Sequence, residues 1–169
     1  MMRWTNMLFL LPLGACSTAA LPPAASAQLP AEAMAPQAPL MPTRILDRAA
    51  ADRLLAADGA TLQWIGWDTR GVVRVVEENG TIRLDAAQDQ PDGPGRMSVS
   101  GTVEEIGADY FVLNGTIRIT DTPDAGRQCS ADKLWHFAVT QNRPYWRLRE
   151  FEWCDGLTDY IDIYMAKAG

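Results

Sequence analysis

Side chains that suit molecular recognition are concentrated between residues 136 and 164. Arginine and tyrosine combine hydrogen-bonding groups with large flat surfaces, and both are enriched at the centres of protein interfaces. We therefore predict a candidate interaction patch for a protein partner, made of His136, Tyr145, Arg147, Arg149, Phe151, Tyr160, Asp162 and Tyr164. The alternative is a solvated surface whose exposed ion pairs contribute about 0–1 kcal/mol each.

Groups that could carry out catalysis are sparse. His136 is the only histidine and no Gly-x-Ser-x-Gly motif is present, so a serine-hydrolase triad is not indicated. Hydrolysis by acid and base needs two facing carboxylates, and the acidic cluster that contains Glu150 and Asp155 is a candidate. The acidic and histidine residues match no zinc or calcium spacing, so we predict neither metal nor cofactor. We expect a protein without enzymatic activity, with such a hydrolase as an alternative.

The three cysteines have different predicted roles. Cys16 follows Leu13-Gly14-Ala15, a sequence that resembles the lipobox of bacterial lipoproteins. The resemblance implies that Cys16 is lipidated and becomes the new N-terminus. Cys129 and Cys154 are then left as a pair, which predicts a disulfide in an oxidising compartment. Two buried free thiols are the alternative.

The beginning of the chain has the pattern of a secretion leader. Arg3 precedes the apolar run 7–13, which is too short to span a bilayer. Cleavage before Cys16 would leave a lipid as the only attachment to a membrane, and we expect a periplasmic protein anchored to the outer membrane. A competing cleavage site after Ala27 would release a soluble periplasmic protein instead.

The composition divides the chain into three segments. Residues 1–16 are the predicted signal peptide with its lipobox, and residues 17–43 are a predicted disordered tether rich in proline and alanine. The domain is expected at residues 44–169. Its first element is a short helix at 45–57, because apolar residues recur there at helical spacing and a glycine follows.

From Thr61 onward the apolar residues alternate with period two, which is typical of strands. Short connections join the strands as antiparallel hairpins. The domain is therefore predicted to be mainly all-β, an eight-stranded antiparallel up-and-down barrel or strongly curled sheet with one short N-terminal helix. The predicted strands are 61–67, 72–78, 81–87, 96–106, 110–121, 133–141, 144–153 and 158–165.

Turn signals fix the registers of the predicted hairpins. The Asn79-Gly80 turn places Val75 opposite Leu84. A three-residue loop at 107–109 places Gly101 opposite Gly115 on the inner face. These two glycines predict either a sharp bend or a space that Trp64 or Trp135 fills, with a small ligand niche as the alternative.

The same procedure gives the order of side chains across the last three predicted strands. A turn at Asp155-Gly156 places Leu148 opposite Ile163, and therefore Arg149 between His136 and Asp162 on the outer face. Glu150 has inward parity and is expected near the end of the sheet, where water reaches it.

Charge and resemblance limit the function. The formal net charge is −6, which argues against a nucleic-acid partner. The stretches 141–148 and 159–164 resemble the C-terminal part of small exported bacterial proteins of unknown function. In architecture alone the domain resembles small lipoprotein barrels that inhibit lysozyme or secreted proteases.

We expect a non-enzymatic binding or interaction lipoprotein of the envelope, in one version an inhibitor of a basic hydrolase through a long loop at 122–132 that Cys129 fixes. A carrier of a small apolar ligand inside the barrel is an alternative, although large inward side chains favour a filled interior.

Overall fold

The computed structural model describes residues 41–166, so the predicted leader with Cys16 and most of the predicted tether lie outside the described residues. Within this range, no helix is long and apolar enough to cross a membrane. The elements are β1 (Arg44–Ile45), α1 (Arg48–Leu55), β2 (Ala60–Leu62), β3 (Val72–Glu78), β4 (Thr81–Asp89), β5 (Arg96–Ile106), β6 (Tyr110–Thr120), β7 (Gln128–Ala138), β8 (Tyr145–Leu148) and β9 (Ile161–Tyr164).

Strands β2 to β9 form one antiparallel sheet, in the order β2-β9-β8-β7-β6-β5-β4-β3. The sheet curls until its two ends meet, where the Gly71 N–H donates to the Ala60 carbonyl at 2.8 Å. The result is a nearly closed eight-stranded barrel with one short helix, which confirms the predicted fold class. The sequence pattern did not predict the short strand β1, which pairs in parallel with the end of β5.

Helix α1 begins and ends inside the predicted range 45–57. Asp47 is its N-cap, and its carboxylate accepts a hydrogen bond from the Ala50 N–H at 2.8 Å. The helix buries Ala50, Ala51 and Leu54 in the core. The helix is therefore held by an amphipathic face rather than by its length of eight residues, which is too short for independent stability.

The registers set by tight turns are confirmed. Val75 pairs with Leu84, and Gly101 pairs with Gly115. A Cβ atom at either glycine would collide with a backbone carbonyl of the facing strand, so the two backbones approach more closely than other residues allow. The Trp135 indole lies at this position and donates to the Gly115 carbonyl at 2.8 Å. Of the two tryptophans named in the prediction, Trp135 is therefore the one in contact with this position, while the close approach of the backbones leaves no ligand niche between the two glycines.

Strands next to long connections differ from the prediction. β2 ends at Leu62 instead of continuing to residue 67, and residues 63–71 fold over the outer face as a loop that we call the cover loop. β7 begins at Gln128, so Cys129 lies in a strand and not in a long loop at 122–132. β8 ends at Leu148 and β9 begins at Ile161, which leaves residues 149–160 as a second loop, the C-terminal loop.

The register of the last hairpin is wrong by two residues. Trp146 pairs with Ile163, and Arg147 rather than Arg149 pairs with Asp162. An offset of two keeps every side chain on its predicted face, because the side chains of a strand alternate with period two. The cause is the length of the C-terminal loop, in which Asp155-Gly156 is not a tight turn between adjacent strand ends.

The end of the predicted tether belongs to the folded domain. Thr43 is buried, its N–H donates to the Gly80 carbonyl, and its hydroxyl donates to the Val103 carbonyl at 2.7 Å. The same hydroxyl accepts from the Ile82 N–H at 2.8 Å. The boundary of the domain therefore lies at or before Thr43 rather than after it.

Large side chains fill the interior of the barrel. Phe111 and Phe137 stack with ring centroids 4.8 Å apart, and Trp146 packs edge-on against Phe111 at 5.8 Å. These three side chains and Trp135 are among the largest fully buried ones. Burial of each such side chain stabilises the fold by roughly 1.5–3 kcal/mol, so the interior serves as a packed core.

Candidate functional site

An arginine–aspartate pair lies at the centre of the outer face of β8 and β9. The Arg147 Nε and Nη2 atoms donate to the two carboxylate oxygens of Asp162, both at 2.7 Å. The Asp162 side chain is 0% exposed and that of Arg147 is 14% exposed. Burial raises the pKa of the Asp162 carboxyl, while the bond to Arg147 acts in the opposite direction. The bidentate geometry fixes the guanidinium in one orientation.

Aromatic rings surround this guanidinium. The Arg147 Cζ atom lies 4.4 Å from the centre of the Tyr160 ring, 5.2 Å from that of Tyr145 and 5.3 Å from that of Trp67. These distances suit cation–π contacts, which are stronger where water is excluded. Trp67 comes from the cover loop and Tyr160 from the C-terminal loop, so Arg147 holds both loops against the barrel.

The aromatic cluster continues on both sides of Arg147. The Tyr160 ring packs at 5.3 Å against Phe151, and Arg149 lies 6.0 Å from the Phe151 ring. On the other side Tyr145 lies 5.2 Å from Tyr164, whose ring carries the Arg70 guanidinium at 3.9 Å. We call this surface the arginine–aromatic face; it consists of Trp67, Arg70, Tyr145, Arg147, Arg149, Phe151, Tyr160 and Tyr164.

The histidine of the predicted patch lies beside this face. The Nδ1 atom of His136 is 2.5 Å from a carboxylate oxygen of Glu150, and its backbone N–H donates to the other oxygen at 3.0 Å. The Arg149 N–H donates to the His136 carbonyl at 2.8 Å. Glu150 is partly exposed, which agrees with its expected position near the end of the sheet.

The eight residues of the predicted patch are therefore divided between one continuous row and its border. Tyr145, Arg147, Tyr160, Asp162 and Tyr164 form the centre, with Phe151 and Arg149 next to them. Of the expected row of His136, Arg149 and Asp162, the first two are neighbours, because the Arg149 N–H donates to the His136 carbonyl, but Asp162 lies beside Arg147 instead of Arg149. The His136 side chain bonds to Glu150.

The sequence pattern missed Trp67 and Arg70. Trp67 was predicted as the last residue of a strand and Arg70 as part of the connection after it, whereas Gly66, with φ of 145°, interrupts the strand and turns the chain over the outer face. Two glycines bracketing Trp-Asp-Thr-Arg were the available signal of a loop.

A second arginine holds the C-terminal loop at another point. Arg127 is 5% exposed and donates to Asp155 at 2.8 Å and to Asp159 at 2.9 Å. Asp159, which is fully buried, also accepts from the Trp64 indole N–H at 3.0 Å. The Arg127 Nη1 atom also donates a hydrogen bond to the Thr122 carbonyl at 3.1 Å. Residues from three loops are thus joined to one cation.

The two carboxylates named for a hydrolase are engaged separately. Glu150 bonds to His136, and Asp155 bonds to Arg127. The hydrogen bond from Arg127 lowers the pKa of the Asp155 carboxyl to about 2. Asp155 therefore stays ionised at neutral pH, which suits an ion pair and not the acid role that glycoside hydrolysis requires.

Cys129 and Cys154 form a disulfide with Cα atoms 5.9 Å apart, as predicted. Their sulfurs and a carboxylate oxygen of Asp155 lie within 4.8 Å of one another, the spacing of a small metal site. Metal binding of this kind needs thiolates, and the disulfide together with the Arg127–Asp155 pair uses all three groups. The arrangement fastens the C-terminal loop to β7.

Comparison with known proteins gives a family without a described activity. The model of the PM1083 family matches residues 42–165, the range of the β domain. The uncharacterized protein PM1083 of Pasteurella multocida is 30% identical over 115 residues, which cover 67% of this chain and 74% of that protein. No solved structure matches the chain significantly. By the extent of both matches, the chain belongs to the PM1083 family.

Proposed function

We propose that this chain is a non-catalytic binding protein of the bacterial envelope that recognises a protein partner through its arginine–aromatic face. The observation that carries the proposal is the fixed Arg147 guanidinium, held by the buried Asp162 and enclosed by rings that also reach the surface. Rigid arginine and aromatic side chains lose little conformational entropy on binding, so they suit the centre of an interface.

The exposed part of this face supplies the proposed contacts. The Trp67 side chain is 41% exposed although it packs on Arg147, and Arg149 is exposed with no ion pair to another residue in the described range 41–166. Tryptophan is enriched at protein interfaces, where its ring supplies a large contact area and its N–H a hydrogen-bond donor. Arg147 then acts as the support, and Trp67, Arg149 and their neighbours make contact with the partner.

Two alternative functions receive less support from the same structure. The inward side chains of Phe111, Phe137 and Trp146 fill the space that a carried apolar ligand would need. The carboxylates of Glu150 and Asp155 are each bound to a different partner, which disfavours a hydrolase. A binding function uses surfaces that these interactions leave exposed.

The proposed location follows from the leader and the disulfide. The lipobox-like sequence before Cys16 and the Cys129–Cys154 pair both fit the periplasm, where disulfides persist. Anchoring to the outer membrane through a lipid on Cys16 would leave the domain in the periplasm at the end of its tether. Cleavage after Ala27 would give the soluble form of the same protein.

Site-directed photocrosslinking tests the proposed face. A photoreactive phenylalanine analogue is placed at position 67 or 151 of the full-length chain in the native cell envelope, and at Leu46 as a control. Leu46 is 59% exposed and lies before α1, outside the face. We expect one common crosslinked protein at positions 67 and 151, and its absence at position 46.

Arg149→Gln, which removes one exposed cation of the face, should reduce that adduct about tenfold or more, since a contact worth about 1.4 kcal/mol changes affinity tenfold. Arg83→Gln is the matched control, because Arg83 is exposed on β4 and carries the same charge. Equal adducts in both variants, or different adducts at positions 67 and 151, would contradict the proposal.

A basic hydrolase is one partner class that the net charge of −6 favours. The loop at 122–132 that the sequence predicted for inhibiting such a hydrolase is shorter in the structure, because β7 begins at Gln128, and Arg127 holds it in place. An inhibitor of this kind would therefore have to contact the hydrolase through another surface. A lysozyme assay with micromolar purified protein tests this version directly, and full lysozyme activity would remove it while leaving the crosslinking result unaffected.

A further inference from the structure

A hollow on the outer face of β5 and β6 is lined by two arginines and two hydroxyl groups. Its volume is about 390 Å³, and its lining residues are Arg96, Ser98, Arg118 and Thr120. The residues that alternate with them along the two strands are fully buried, so the four polar side chains point outward; these buried residues are Met97, Val99, Ile117 and Ile119. The hollow therefore belongs to the solvent side of the barrel and is separate in sequence from the arginine–aromatic face.

Strand pairing brings the four polar side chains together. Ser98 pairs with Arg118, and Arg96 pairs with Thr120. Directly opposed residues have Cβ atoms about 4.5–5.5 Å apart and diagonal ones about 7–8 Å apart. Two long guanidinium side chains on such a diagonal reach the same small group from opposite sides, with a hydroxyl beside each.

The hydrogen-bonding capacity of these residues is largely unused. Arg118 forms no ion pair with any residue of the described range, and the Ser98 and Thr120 hydroxyls make no side-chain hydrogen bond there. Arg96 contacts Asp89 through Nη1 at 3.2 Å, which leaves most of its five donors free. The hollow thus presents many donors and no acidic side chain in its lining.

Arg96 and Arg118 lie on a diagonal of neighbouring strands, and of the two only Arg96 has an acidic partner in the described range, Asp89. A bound anion would neutralise the Arg118 charge and accept hydrogen bonds from both guanidinium groups. A phosphate group matches the site best, because its tetrahedral oxygens accept bidentate bonds from arginine and single bonds from hydroxyls.

We propose that Arg96, Ser98, Arg118 and Thr120 form a binding site for a phosphate group, carried by a small phosphate monoester or by a phospholipid headgroup. The site does not depend on the proposed protein-binding face, because it shares no residue with it. A tethered envelope protein encounters both ligand types, so the test must distinguish them.

The test is an NMR titration of the full-length purified chain at constant ionic strength. The probes are glycerol 3-phosphate and dihexanoyl-phosphatidylglycerol below its critical micelle concentration, with sodium chloride as the reference. We expect saturable shifts of the Ser98 and Thr120 amide signals with at least one phosphate probe. Shifts with the ester alone indicate a soluble phosphate ligand, and tighter binding of the lipid indicates a headgroup.

Variants decide whether the named side chains form the site. Arg118→Gln and Arg96→Gln should each weaken binding about tenfold, as the loss of a charge-assisted bond implies. Arg83→Gln, also exposed on the outer face but outside the hollow, should bind like the wild type. The proposal is overturned if neither probe shifts these signals beyond the chloride reference, or if Arg83→Gln weakens binding as much as Arg118→Gln.

Discussion

At the residue scale, two arginines hold the loops of this barrel to its strands. Arg127 bonds to Asp155 and Asp159, and Arg147 bonds to Asp162. Both use the planar guanidinium to join several acceptors, which a lysine ammonium cannot match in geometry. The two clusters differ in their surroundings: aromatic rings that reach solvent enclose Arg147, whereas Arg127 contacts a backbone carbonyl, the buried Asp159 and the exposed Asp155. Both arginines therefore anchor loops, and the recognition that we propose belongs to Arg147 and its neighbours.

Removal of Arg127 should destabilise the domain strongly. Arg127→Met leaves the fully buried Asp159 without its cation, and an unpaired buried charge costs about 3–5 kcal/mol. The free energy of unfolding is measured by urea denaturation. Arg83→Met, at an exposed position, is the control and should change stability by less than about 0.5 kcal/mol.

A second substitution tests whether the unpaired charge of Asp159 causes this loss of stability. Adding Asp159→Asn to Arg127→Met removes the buried charge and keeps an acceptor for the Trp64 indole. Part of the lost stability should return. A double variant that is less stable than Arg127→Met would show that the ion pair is not the cause.

Asp155 should give the domain a pH-dependent contribution to stability at acidic pH. Its pKa is about 2 in the folded chain, against a reference value of 3.8, because Arg127 bonds to the ionised form. The unfolded chain therefore takes up its proton first as the pH falls. The contribution is complete above pH 3.8 and is lost between 3.8 and about 2.

The measurement compares the urea midpoints of the wild type and Asp155→Asn from neutral pH down to the acidic range. We expect the wild type to be more stable at neutral pH and the difference to shrink through that interval. A difference that stays constant down to the lowest pH would show that the ionised carboxylate is not what stabilises the fold.

At the scale of the elements, the length of the connection between two strands determines whether the sequence predicts their register. The turn at Asn79-Gly80 fixes the register of β3 and β4. The loop at 107–109 gives the register of β5 and β6 from Val103 back to Arg96, while a bulge between Val103 and Glu105 shifts the pairing next to the loop by one residue. The twelve-residue C-terminal loop does not fix the register of β8 and β9, because its path depends on Arg127 and the disulfide. Tertiary contacts of this kind leave no local pattern, so Arg149 rather than Arg147 was placed opposite Asp162.

A substitution at Gly101 tests whether the backbones of β5 and β6 approach each other closely at the facing glycines. Gly101→Ala would place a Cβ atom against the Asn114 carbonyl and the Gly115 Cα atom. Overpacking of this kind costs roughly 1–3 kcal/mol, so the midpoint of thermal unfolding should fall. Ser100→Ala, exposed on the same strand, should leave it nearly unchanged. Equal midpoints for Gly101→Ala and the wild type would exclude the close approach of these strands.

The disulfide should stabilise the domain through the C-terminal loop. Cys129 and Cys154 are separated by 25 residues, and closing a loop of that size contributes roughly 3–4 kcal/mol by the chain-entropy account. The double variant Cys129→Ala, Cys154→Ala should lose about that much in urea denaturation. Reductant should lower the stability of the wild type to a similar level and leave the variant unchanged; a wild type unaffected by reductant would contradict the bond.

At the scale of the whole molecule, the packed core and the proposed binding surface lie on opposite faces of the sheet. Aromatic side chains fill the interior, and the loops on the outside are held in place by two arginines and a disulfide. The fold class and the outer position of five patch residues follow from period-two alternation, because His136, Tyr145, Arg147, Asp162 and Tyr164 lie in strands, where parity fixes the face. Arg149, Phe151 and Tyr160 lie in the C-terminal loop, whose path depends on tertiary contacts rather than on parity.

We expect the predicted leader to determine where the proposed binding face meets a partner. If Cys16 is lipidated, the mature chain begins at Cys16, incorporates labelled palmitate and sediments with the outer membrane. Cys16→Ala should abolish the label and the sedimentation together, while the disulfide between Cys129 and Cys154 still forms in the periplasm. Mass spectrometry of the exported wild type decides between the two cleavage sites, because cleavage after Ala27 gives an unmodified chain that begins at Gln28. The mass of a chain that begins at Gln28 would contradict lipid anchoring but agree with export. An uncleaved chain with free thiols would contradict both lipid anchoring and export.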